Sequence, residues 1–69
     1  MAVCYNKLWK LLIDRKMKKK DLIAATGVSK GTIAKLGHDE NVSTEVLARI
    51  CSALQCNIED IVEMLPDEQ

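Results

Sequence analysis

The chain has 69 residues, near the lower size at which one hydrophobic core holds without staples, so a single domain over residues 1–69 is expected. Hydrophobic residues make up 48% and aromatics only 3% (Tyr5 and Trp9), which predicts an aliphatic core. The net charge is zero but divided. Residues 1–38 hold nine Lys/Arg against Asp14 and Asp21, a net +7, whereas residues 39–69 hold Arg49 against eight carboxylates, a net −7. Polyanion binding depends on the local potential, so the balance does not exclude nucleic acid. Lys7 and Lys10 interrupt the N-terminal apolar residues, so no signal peptide is expected, and no apolar run is long enough to span a membrane. A cytoplasmic protein is expected. Cys4, Cys51 and Cys56 lack the paired spacing of a zinc site and read as reduced thiols, Cys51 on an apolar helical face; a Cys51–Cys56 redox pair is the weaker alternative.

No strand-like alternation stands out, and the only proline is Pro66, so the helices are taken in turn. Asn6 is placed to cap a first helix over about residues 7–16, with Leu8, Leu11, Leu12 and Ile13 as its apolar stripe and Trp9 at the core's edge. Met17 anchors the link to a second helix. Lys18, Lys19 and Lys20 stand at that helix's start, where the macrodipole is already positive and Lys18 can accept no capping hydrogen bond. Such a local cost makes sense where an anion completes the site, since a helix N-terminus flanked by lysines suits phosphate; a solvated linker is the alternative.

Leu22, Ile23, Ala24 and Ala25 continue the second helix, and Gly27 should stop it in a left-handed cap. Ser29 is suited to cap a third helix whose apolar side is Ile33 and Leu36. Two helices joined by a short Gly-containing turn form a helix-turn-helix. With Ile33 and Leu36 inward, a step of about 100° per residue turns Gly31, Ala34 and Lys35 outward, flanked by Lys30 and Thr32.

At Leu22, Ala24, Ala25, Gly27-Val28-Ser29, Ile33 and Leu36 the chain resembles the helix-turn-helix of the phage repressor/Cro family (Cro/C1-type bacterial regulators). Agreement of the apolar spacing extends the resemblance over residues 6–65. One departure is Ile23, which stands where the family usually has a small residue, implying a wider crossing or a slightly turned first helix. The resemblance implies an all-α, five-helix, lambda-repressor-like DNA-binding domain with its helix-turn-helix at about residues 19–37. It also implies that the outward face of the third helix enters the major groove. There Ser29 joins the reading face, Lys30 and Lys35 can donate to guanine or phosphate, with solvated surface as their alternative, Thr32 can serve a base or phosphate, and Ala34 can meet a thymine methyl. Gly31 fits either a close approach of backbone to DNA or plain tolerance of a weaker helix.

Gly37 is expected to end the third helix in a left-handed cap, before a polar loop of His38, Asp39, Glu40 and Asn41. His38 reads as a loop residue with a phosphate contact as its functional alternative, and the two carboxylates should turn away from DNA. Ser43 caps a fourth helix with Glu45 in its first turn, Val42 stapled against Leu47, and a stripe of Leu47, Ile50, Cys51 and Leu54. Asn57 is expected to cap a fifth helix carrying Ile58, Ile61, Val62 and Leu65, closed by Pro66, with Asp67-Glu68-Gln69 as a tail.

The chain shows no nucleophile–base set, metal-ligand cluster or phosphate-cradling glycine loop, so neither an enzyme nor a cofactor or small-molecule ligand is expected. The reading is a small sequence-specific regulator that binds double-stranded DNA and represses by occupying a promoter. The family resemblance implies a homodimer. An interaction module of the same fold, antitoxin-like or anti-repressor, is the competing reading and would use the acidic half.

Overall fold

The computed structural model describes residues 2–66. Its elements are β1 (Ala2–Cys4), α1 (Asn6–Asp14), α2 (Lys19–Thr26), α3 (Lys30–Gly37), α4 (Thr44–Leu54), a 3₁₀ turn at Ile58–Asp60, and β2 (Glu63–Leu65). The fold is mostly helical, with four α-helices rather than the five expected.

The helices start and stop where local chemistry satisfies their free backbone groups. Ser29 and Ser43 cap α3 and α4, their hydroxyls accepting the amides of Thr32 at 3.1 Å and Val46 at 3.2 Å. Gly27 ends α2 in the left-handed region at φ 75°, as expected. In the same turn the Thr26 hydroxyl donates to the Leu22 carbonyl at 2.7 Å and accepts the Val28 amide at 3.3 Å. Arg49 and Glu45 form an exposed i, i+4 pair on α4 at 3.0 Å.

Two caps differ from expectation. Asn6 is the first residue of α1, not its cap; Tyr5 takes the cap position and its carbonyl accepts the Leu8 amide at 2.9 Å. Gly37 does not terminate α3 in a left-handed turn. The left-handed residue is Asp39, at φ 55°, and the Glu40 amide closes back to the Lys35 carbonyl at 2.9 Å. The same closing pattern ends α1 through Lys16, at φ 57°, and α4 through Gln55, at φ 52°. Each is a non-glycine residue held in a conformation that usually favours glycine.

The fifth helix is replaced by the 3₁₀ turn and β2. Asn57 does precede the turn, but the hydrogen bond there runs from its backbone amide to the Asp60 carboxylate, at 2.9 Å. β2 pairs antiparallel with β1, in the register Ala2 with Leu65, Val3 with Met64 and Cys4 with Glu63. Three physical reasons favour this outcome. The segment is rich in β-branched Ile58, Ile61 and Val62; Pro66 steers Leu65 toward extended backbone; and β1 supplies partners for the chain's amides and carbonyls. Only Ile61 of the expected stripe is buried, Val62 is half-buried, and Ile58, Met64 and Leu65 stay exposed.

The core joins Tyr5, Leu8, Leu12, Leu22, Val28, Ile33, Leu36, Ile50, Leu54 and Ile61, aliphatic but for Tyr5. Trp9 is half-buried at its edge, as expected, while Ile13 is 73% exposed and leaves the stripe of α1. Cys4 is buried; Cys51 and Cys56 are half-buried, and all three thiols are free. Burial pushes the Cys56 thiol up from its ordinary range, with the neighbouring Cys51 adding to the effect.

Candidate nucleic-acid interface

The turn between α2 and α3 buries Val28 and, with Ile33 and Leu36 in the core, fixes which side of α3 is free. Lys30, Gly31, Ala34 and Lys35 are exposed on that free side, and Thr32 is half-buried beside them. Ser29 and Thr32 also touch through their side chains, Oγ to Oγ1 at 3.0 Å, so both hydroxyls belong first to the cap of α3. An added Cβ at Gly31 would meet only the Ser29 hydroxyl, at 3.7 Å, so nothing inside the fold requires glycine there.

The three lysines at the start of α2 separate into two kinds. Lys18 takes the cap position in extended backbone, and its amide donates to the Asp21 carboxylate at 2.8 Å. Asp21 thus satisfies the amide of the cap residue itself, not the first-turn amide that a capping side chain would accept. Lys18, Lys19 and Lys20 are all exposed, but among the described residues Lys18 and Lys20 have no ring beneath them. Lys19 instead folds back toward α1, its Nζ lying 4.9 Å from the centroid of the Trp9 ring. Gly37, the last residue of α3, lies beside the same ammonium: an added Cβ there would stand 3.8 Å from Lys19 Nζ.

His38 is exposed just past α3, and its amide is shared between the carbonyls of Ala34 and Lys35, both at 3.1 Å. Asp39 turns its carboxylate to the Tyr5 amide at 3.1 Å, and the Tyr5 hydroxyl donates to the Glu40 carbonyl at 2.8 Å. Sequence reasoning passed over Asn41 and Ser43, which line a shallow depression together with Thr32 and Lys35. The available signal was the polar loop following the third helix, which brings Asn41 back alongside the outward face.

Among the described residues no group of His, Cys, Asp or Glu is arranged to hold a metal ion, and no helix is long and apolar enough to cross a membrane. The open features are instead a helix-turn-helix with one exposed polar helix face and lysines at the start of the preceding helix.

Residues 7–67 match the family model of the Cro/C1-type HTH DNA-binding domain. The chain belongs to that family. Among solved structures it is similar to the transcriptional regulator VanUg, with a TM-score of 0.91 and 62% identity over 96% of this chain and 88% of that one. No curated protein matches it.

Proposed function

We propose that this protein is a sequence-specific transcriptional regulator that binds double-stranded DNA and represses by occupying promoter DNA. The observation carrying this reading is the outward face of α3: Lys30, Gly31, Ala34 and Lys35 are exposed while Ile33 and Leu36 are buried. Membership in a family of DNA-binding domains supports it, as does the similarity to a transcriptional regulator.

In this reading Ser29, Lys30, Gly31, Thr32, Ala34 and Lys35 meet the major groove, the two lysines donating to guanine or phosphate. Lys18, Lys19 and Lys20 hold backbone phosphate at the start of α2, and His38 and Asn41 reach the backbone beside α3. A homodimer sets two such helices about 34 Å apart, one turn of duplex. Exposed Ile58, Met64 and Leu65 offer apolar surface that a second copy can cover. Enrichment of bound sequences from a pool of random duplexes tests the reading: a two-fold-related motif is expected.

A further inference from the structure

We infer that Trp9, on the first helix and outside the helix-turn-helix, is a positioning residue for phosphate binding, acting by holding the Lys19 ammonium over its ring. This inference rests on the DNA-binding reading above and adds to it a residue that makes no groove contact of its own.

The geometry unites three helices at one cation. Lys19 is the first residue of α2, Trp9 belongs to α1, and Gly37 is the last residue of α3. The ammonium lies 4.9 Å from the Trp9 ring centroid, within the range at which the negative face of an indole attracts a cation. The end of α3, which carries partial negative charge, comes close to the same ammonium at Gly37. An added methyl group at Gly37 would stand in ordinary contact, 3.8 Å from the nitrogen. Ile13 and Met17 complete the groove in which Lys18 and Lys19 lie. Ile13, exposed and apolar, forms a wall against which a deoxyribose can rest while the phosphate meets the lysines.

A neutral ring orients the lysine without cancelling its charge. An ammonium carries three donors, so those not aimed at the indole remain for a phosphate oxygen. A free lysine loses rotamer freedom when phosphate fixes it; one already held over a ring loses less. Trp9 thereby raises affinity without touching DNA.

The test is a double-mutant cycle on duplex binding, with mixed-sequence DNA as the probe and thermal unfolding as the folding control. Lys19→Gln should weaken binding and lower the salt slope by about 1, one phosphate contact. Trp9→Leu should weaken binding by about three- to tenfold in the Lys19 background and have little effect in the Lys19→Gln background. Trp9→Phe, which keeps an aromatic face, should lie between wild type and Trp9→Leu, and carries the cycle if the leucine variant unfolds. Equal losses from the Trp9 substitution in both backgrounds, or none in either, would overturn the inference and leave the DNA reading standing. A wild-type chain that binds no duplex would overturn both.

Discussion

The Tyr5 backbone amide donates to the Asp39 carboxylate at 3.1 Å, joining residues 34 apart in the chain. That bond ties the start of α1 to the residue that turns the chain out of α3. Asp39 does both jobs, since its left-handed backbone at φ 55° closes α3 and its side chain caps a distant amide. A short polar side chain is among the few that tolerate this backbone region.

Asp39→Ala should therefore lose both contributions, destabilising the fold by about 1–2 kcal/mol. Asp39→Asn keeps an acceptor oxygen and a side chain suited to the left-handed turn, and should lose under about 1 kcal/mol. Denaturant titration of the two variants checks the order. Equal losses would show that the charge, rather than the turn, dominates.

Tyr5 is the one buried aromatic, and its hydroxyl donates to the Glu40 carbonyl at 2.8 Å. Burial pushes its phenol pKa above the ordinary value; the Asp39 charge adds to the rise and the Val42 backbone partly opposes it. The native state thus holds the phenolic proton more tightly than the unfolded chain. Its contribution is complete below the unfolded pKa of about 10 and is lost as pH rises through the higher native value. Tyr5→Phe should cost about 1 kcal/mol at neutral pH, from the lost hydrogen bond, and the gap from wild type should narrow as pH rises beyond about 10. Stability curves of both proteins from neutral to alkaline pH measure this directly.

Gly31→Ala separates the fold's needs from those of the interface. The added methyl meets only the Ser29 hydroxyl, at 3.7 Å, and alanine favours helix, so stability should rise by about 0.5 kcal/mol. Affinity for duplex should fall several-fold if the backbone of α3 approaches DNA closely. A variant that is more stable and binds as well as wild type would assign Gly31 to plain tolerance.

The helix-turn-helix was legible because its signals are local. Gly27 and Ser29 act within a turn of where they stand, and the spacing of Ile33 and Leu36 alone orients α3. The sheet was not legible. β1 and β2 have three residues each, too few to show alternation, and their pairing joins the two ends of the described chain. Without sight of β1, the 0, 3, 4, 7 spacing of Ile58, Ile61, Val62 and Leu65 reads as helix. The left-handed turn after α3 falls at Asp39, two residues past the glycine that offered an obvious stop, and there the Asp39 side chain also meets Tyr5. At the candidate site the lysines of α2 looked equivalent in sequence. All three are exposed, and only tertiary packing sets the Lys19 ammonium over Trp9.

The most direct test of the central claim is selection from random duplexes, at low and moderate salt, with wild type and the double variant Lys30→Ala/Lys35→Ala. The account predicts a two-fold-related motif for wild type, affinity that falls steeply with salt, and loss of the motif in the variant while its thermal unfolding stays near wild type. Wild-type protein that binds no duplex even at low salt, or a variant that enriches the same motif with the same affinity, would contradict it.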